Sequence, residues 1–95
     1  METTTTKQLQ GINLYDKAAF AAKAITEWGC VVLLMHPEHS DRFVCRNTTK
    51  AEFVNVEYQP MNGEASTHNT ERVSKFTSWL ANAMFNGWRW ANENC

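Results

Sequence analysis

The chain has 95 residues, of which 43% are hydrophobic, and a formal net charge of −1. These values fit one globular domain and argue against a disordered chain, a strongly basic phosphate binder and a strongly acidic mimic of nucleic acid. No apolar run approaches the roughly 20 residues that cross a bilayer, and the polar residues 1–10 do not form a secretory signal. We therefore expect a cytoplasmic protein with no membrane partner.

The N-terminal third predicts a tail followed by a helix. Residues 1–10 offer nothing that a core would bury, so we expect a mobile N-terminal tail and a single α+β domain over 11–95. Apolar residues then recur at helical spacing over 14–28. On the predicted buried side of this helix lie Leu14, Ala18, Phe20, Ala21, Ala24, Ile25 and Trp28. Gly29 follows at the position where a left-handed cap commonly ends a helix.

Three strands are predicted next. Residues 30–36 form a continuous apolar run that starts with β-branched residues, which favours a buried strand. Residues 42–46 alternate, with Phe43 and Cys45 on one face, and residues 52–58 alternate in the same way. Short polar turns separate the three segments, so the sequence predicts an antiparallel meander. Residues 59–69 are polar and contain Asn62-Gly63, which predicts a loop.

A second helix is predicted over 70–92, with Val73, Phe76, Trp79 and Leu80 on its buried side. The element order is then α-β-β-β-α. The simplest packing lays both helices on one face of a three-stranded antiparallel meander, which gives an α+β two-layer sandwich. The other face of the sheet then meets solvent or a partner.

This element order resembles the topology of double-stranded-RNA-binding domains over residues 13–92. Those domains carry a lysine-rich cluster at the start of the second helix, which reaches phosphates across a groove. The matching stretch here, residues 67–72, contains Glu71 and the single cation Arg72, and Lys75 follows. The resemblance therefore implies a topology, while the phosphate-contacting element of that family is missing.

Candidate catalytic and metal-binding residues are few. The chain offers His36, His39, Cys45, Cys30 and His68 as residue types that bind zinc. His36, His39 and Cys45 lie on neighbouring predicted elements, with Glu38 or Cys30 as a fourth ligand. Their spacing matches no strong zinc pattern, and a cysteine within an apolar strand lacks the exposed thiolate that a nucleophile needs. The three cysteines are odd in number and widely spaced, which argues against a disulfide framework. We predict no catalytic site, no metal and no cofactor.

Two surfaces are candidate binding sites. Phe85 and Trp88 fall outside the buried stripe of the predicted second helix and stand beside Arg89, a combination enriched at protein interfaces. A bend at Gly87 offers the alternative that Trp88 turns inward. The middle hairpin interleaves cations with aromatic rings, a pattern that suits stacking of nucleic-acid bases. Its candidate residues are Arg42, Phe43, Arg46, Lys50 and Phe53.

The leading functional hypothesis is therefore a small non-enzymatic interaction module that binds another macromolecule, in the first place a protein. Small domains of this type are common among accessory proteins of phages and mobile elements, including inhibitors of host systems. The alternative is a nucleic-acid-binding domain that uses the middle hairpin. Self-association to a homodimer or homo-oligomer, through the open sheet face or the last helix, is a further expectation.

Overall fold

The computed structural model describes the backbone of residues 2–94 and the side chains of residues 14–90. Within that range, two helices and five strands follow along the chain as α1 (Glu2–Trp28), β1 (Val31–His36), β2 (His39–Asn47), β3 (Phe53–Gln59), β4 (Thr67–Arg72), α2 (Val73–Phe85) and β5 (Arg89–Asn94). The strands form one antiparallel sheet in the order β4-β3-β2-β1-β5. Both helices share one core with a single face of the sheet, so the predicted α+β two-layer sandwich is confirmed.

Small residues form the buried face of α1. Ala18, Ala21, Ala22 and Ile25 are spaced at i, i+3, i+4 and i+7, and each is at most 1% exposed. Phe20 and Trp28 are each about half exposed, so the prediction that they are buried is wrong; their rings lie 5.5 Å apart, and Phe20 also lies 6.1 Å from Trp90 of β5. The helix starts at Glu2. The backbone of residues 2–10 is thus helical, and the division into a mobile tail and a domain over 11–95 stays a prediction.

A glycine cap ends α1 as predicted. Gly29 has a φ of 69°, in the left-handed region that side chains disfavour. The N–H of Cys30 donates to the carbonyl of Ala24 at 3.1 Å, six residues back, and this hydrogen bond closes the end of the helix. The cap turns the chain directly into β1. Cys30 is disulfide-bonded, although the number and spacing of the cysteines argued against a disulfide framework.

The predicted meander corresponds to β1, β2 and β3. In their register, Leu34 lies opposite Phe43 and Phe43 lies opposite Tyr58, and all three side chains face the helices. Successive residues of a strand point to opposite faces, so the intervening residues form the outer face. The helix-facing residues that belong to the main core are Val32, Leu34, Cys45, Val54 and Val56. Neither helix covers the outer face.

The C-terminal part of the sequence departs from the predicted helix over 70–92. Residues 67–72 form β4, which pairs with β3, and α2 begins only at Val73. The helix ends at Phe85, and Gly87 has a φ of 103°, which turns the chain back along the sheet. Residues 89–94 then pair with β1 as β5. The continuous apolar run of β1 is thereby flanked on both sides, as expected for a strand inside a sheet.

The helices of the described residues are too polar or too short to act as membrane spans.

Candidate functional site: a groove between α2 and β4

An open groove lies between α2 and the strands β3 and β4, on the helix-bearing face of the sheet. Its volume is about 600 Å³. The groove exists because α2 has only 13 residues and packs against α1, which leaves the helix-facing side of β4 uncovered. Volumes of this order are typical of binding pockets, and the wall of such pockets is mostly apolar. We name this cavity the α2–β4 groove.

Aromatic side chains form the wall of the α2–β4 groove. Phe43 of β2 lies 5.2 Å from the ring of Tyr58 and 5.1 Å from the ring of Trp79, measured between centroids. Phe76 of α2 continues the wall at 6.0 Å from Trp79. Val56 adds an aliphatic surface. Phe43, Tyr58 and Trp79 are half-buried, so their rings are fixed by the core while part of each faces the groove.

Polar residues form the rim. Asn69 and Glu71 alternate along the helix-facing side of β4, and Lys75 lies across from them on the first turn of α2. Asp41 accepts a hydrogen bond from the Tyr58 hydroxyl at 2.9 Å, which raises the pKa of Tyr58 above its ordinary value. The phenol therefore stays a neutral hydrogen-bonding group at the end of an apolar wall.

A cluster of rings closes the end of the sheet beside the groove. Trp88 stacks on His39 with an interplanar angle of 9° and contacts the edge of Phe43 at 5.0 Å. His36 accepts a hydrogen bond from the N–H of Glu38 on Nδ1, at 3.0 Å. Its Nε2 therefore carries the proton and donates to the carbonyl of Asn86, also at 3.0 Å. These contacts tie the end of α2 to the β1–β2 turn.

The predicted protein-binding residues do not form one surface. Phe85 is 59% exposed on the last turn of α2. Trp88 is instead half-buried against the ring cluster, because Gly87 ends the helix and turns the following residue inward. Arg89 pairs with Met35 on the outer face of the sheet, away from the helices. The inward position of Trp88 agrees with the predicted bend.

The residues predicted to bind nucleic acid are also divided between two faces. Phe43 faces the helices, whereas Arg42 and Arg46 flank it in sequence and therefore face outward. Phe53 is on the outer face, where Lys50 lies 6.0 Å and Arg72 lies 5.3 Å from its ring centroid. Phe43 is therefore on the opposite face of the sheet from the other four residues, and Arg72 lies beside Phe53.

Candidate ligands for a metal are dispersed. The side chains of residues 14–90 contain no group of three His, Cys, Asp or Glu residues placed to hold a metal ion. Cys45 is fully buried, and burial raises the pKa of its thiol to about 12 despite the nearby positive charge of Arg46. Its thiolate population at neutral pH is therefore too small for nucleophilic attack.

No protein-family model matches this chain, and no curated protein or solved structure matches it. The function therefore has to be argued from the residues of the site.

Sequence reasoning missed the α2–β4 groove because it missed β4. The alternation of residues 52–58 already places Val56 and Tyr58 on one face, and helical periodicity already turns Phe76 and Trp79 toward the sheet. The segment THNTER, which forms β4, carries no strand signal, because its residues are polar throughout and do not alternate between apolar and polar positions.

Proposed function

We propose that this protein is a non-enzymatic interaction module that binds an extended segment of a partner protein in the α2–β4 groove. The observation that carries the proposal is a groove of about 600 Å³ with an aromatic wall, placed directly alongside an edge strand. An aromatic wall accepts the apolar side chain of a ligand, and an edge strand offers free backbone groups.

The wall of the groove suits an apolar anchor. The ring of Phe43 lies 5.2 Å from that of Tyr58 and 5.1 Å from that of Trp79, so these side chains hold one another in place and lose little freedom when a ligand packs against them. Binding free energy at protein interfaces concentrates in such aromatic pockets. A partner segment with a Leu, Met or aromatic residue fits this wall.

The edge strand β4 suits a backbone contact. Only β3 pairs with it among the described strands, so one row of its N–H and C=O groups faces solvent. An extended peptide adds to such an edge through main-chain hydrogen bonds, and its alternate side chains then point toward the helix layer and the groove. Glu71 and Lys75 on the rim supply opposite charges that set the direction of the segment.

Peptide display followed by binding measurements tests the proposal. Random 12-residue peptides selected against the folded protein are measured by isothermal titration with the wild type, Asn69→Phe and Thr70→Phe. Asn69 lies on the helix-facing side of β4, so a phenylalanine there fills the groove. Thr70 is the next residue and faces outward opposite Asn55, so its variant is a matched control on the same strand.

Selected peptides are expected to bind the wild type and Thr70→Phe alike and to lose at least about tenfold in affinity with Asn69→Phe. Bound peptides also change the fluorescence of Trp79. Equal affinity for the two variants contradicts the proposal. Loss of binding with Phe20→Ser instead moves the site to the exposed pair Phe20 and Trp28 on α1, whose rings are 5.5 Å apart.

A narrower form of this proposal is an inhibitor of a host system that is encoded by a phage or mobile element. Such a domain acts by occupying a partner surface rather than by turnover. Homo-oligomerisation is the competing occupant of the groove. Sedimentation equilibrium of the wild type and Asn69→Phe distinguishes it, because a dimer built through the groove dissociates only in the variant.

A further inference from the structure

We infer that the outer face of the sheet binds single-stranded nucleic acid, as a second site that lies on the opposite side of the sheet from the α2–β4 groove. The inference rests on the segregation of charge between the two faces and on the position of one aromatic ring among the cations.

The outer face collects positive charge in a chain whose net charge is −1. Five of the nine Lys and Arg residues of the chain lie on it or at its border, and they come from three strands and one turn. They are Arg42, Arg46, Lys50, Arg72 and Arg89. The acidic residues beside them are Glu52 and Glu57. The face is therefore complementary to an anionic ligand.

The two acidic side chains leave most of this charge available. Glu57 accepts a hydrogen bond from Arg46 at 2.6 Å, and Glu52 lies 3.9 Å from Arg72 with both side chains largely exposed. Arg42 and Arg89 are exposed and form no ion pair with another residue of the described part of the chain. Both stand near Met35 at one end of the face, because Met35 pairs with Arg89 and the neighbouring Leu34 pairs with Phe43.

The spacing along β2 gives the face a length suited to a strand of nucleotides. Arg42 and Arg46 are four residues apart, which is about 13 Å along a strand. Between them lie Val44 and the adjacent Leu33, which are apolar but only 5% and 7% exposed, and Val44 lies opposite Glu57 on β3. The two arginines therefore fit phosphates about 13 Å apart. Contact with a base has to come from an aromatic ring at the border of the face.

Phe53 supplies the stacking position. It is half-buried on the outer face, with Lys50 and Arg72 on its ring at 6.0 and 5.3 Å. Aromatic side chains between cations are the arrangement by which open sheets bind single strands, because every base offers a π-face to stack. An acidic peptide uses the cations equally well but gains nothing from the ring, which is why we favour nucleic acid.

Fluorescence anisotropy with fluorescently labelled oligothymidine and oligouridine of 15 nucleotides tests the inference. The binding constant is measured across a salt series from 50 to 300 mM. The test variant is Arg42→Gln/Arg89→Gln. The matched control, Lys17→Gln/Lys23→Gln, makes the same change in net charge on the exposed side of α1. Polyglutamate serves as the competing anion. Circular dichroism establishes that all the variants are folded.

The Arg42→Gln/Arg89→Gln variant is expected to bind about tenfold more weakly than the wild type. The slope of log K against log salt becomes less negative by about 1.4, which is about 0.7 for each lost phosphate contact. The control keeps the wild-type slope. Any of three results overturns the inference. The wild type does not bind the oligonucleotides at 50 mM salt, the two double variants lose affinity equally, or polyglutamate displaces the labelled oligonucleotide as effectively as unlabelled oligothymidine does. Asn69→Phe leaves this binding unchanged, so failure of the groove proposal and failure of this one are separable.

Discussion

Replacement of Gly87 by alanine is the most informative single perturbation of this fold. Gly87 has a φ of 103°, so any side chain there costs about 1–3 kcal/mol in backbone strain. A Cβ atom built at this position also lies 2.7 Å from Nε2 of His36 and 3.3 Å from its Cδ2. The imidazole must therefore move, and movement breaks its hydrogen bond to the carbonyl of Asn86.

The expected cost follows from these two terms. Loss of the His36–Asn86 hydrogen bond adds about 0.5–1.5 kcal/mol to the backbone strain, which gives a total of about 2–4 kcal/mol. A domain of 95 residues has a free energy of unfolding on the order of 5–14 kcal/mol, so the variant loses a large share of its stability. In urea, the midpoint of unfolding shifts down by about 1–2 M.

Gly63 provides the matched control. Its φ is 80°, but a Cβ atom there meets no other atom within 4 Å, so Gly63→Ala measures the backbone term alone. Urea titrations followed by tryptophan fluorescence give the free energy of unfolding for each variant. We expect Gly63→Ala to cost about 1 kcal/mol and Gly87→Ala clearly more.

A double-mutant cycle isolates the steric term. In a His36→Ala background the clash is absent, so Gly87→Ala is expected to cost no more than Gly63→Ala. If Gly87→Ala changes the free energy of unfolding by less than about 0.5 kcal/mol, or costs the same with and without His36, the reasoning is refuted.

Two further predictions concern ionisable groups on β2 and β3. Burial raises the pKa of Cys45 to about 12. Ellman's reagent at pH 8 is therefore expected to leave this thiol unmodified in the folded protein and to modify it in denaturant. Rapid reaction of Cys45 in native buffer contradicts its burial. Hydrogen bonds from Arg46 and Gln59 lower the pKa of Glu57 from 4.5 to about 2, so its stabilisation is complete above pH 4.5 and disappears as the pH falls to 2. Because solvent screens the half-exposed Arg46, Glu57→Gln is expected to cost about 1 kcal/mol at pH 7 and nothing at pH 2, and a pH-independent difference in urea titrations counts against the pair.

The parts of the fold that follow local patterns were predictable from the sequence. The alternation of residues 42–46 and 52–58 predicted which side chains share a face of the sheet, and the register of β2 and β3 agrees with it. Gly29 predicted the end of α1. These features depend on neighbours within one element or one hairpin, so a local pattern is sufficient to indicate them.

The missed features depend on partners distant in sequence. β5 pairs with β1 across more than fifty residues, and its segment continues the helical periodicity of α2 closely enough to suggest one long helix. A left-handed Gly87 is the local cause of the break, but glycine within a helical pattern is also compatible with a continuous helix. The composition of β4 carries no strand signal. Its pairing with β3 alone makes it a strand.

The same division explains the outcome at the candidate sites. Proximity in sequence suggested that Phe43 belongs with Arg42 and Arg46, but the alternation of β2 separates them onto two faces of the sheet. Phe85, Trp88 and Arg89 are separated by the end of a helix. In both cases the residue types were informative. The alternation already separated Phe43 from Arg42 and Arg46, whereas the position of Arg89 required the end of α2 and the pairing of β5 with β1.

The position of β5 has a consequence for the synthesis of the chain. β1 is the most apolar strand, with the sequence VVLLMH, and β5 is synthesised after the other four strands of the sheet. Until residues 89–94 have been synthesised, one edge of β1 stays unpaired, and its free N–H and C=O groups can pair with a strand of another nascent chain. Completion of the sheet therefore waits for residues 89–94, and a premature stop before residue 89 leaves one edge of β1 open to pairing with another chain.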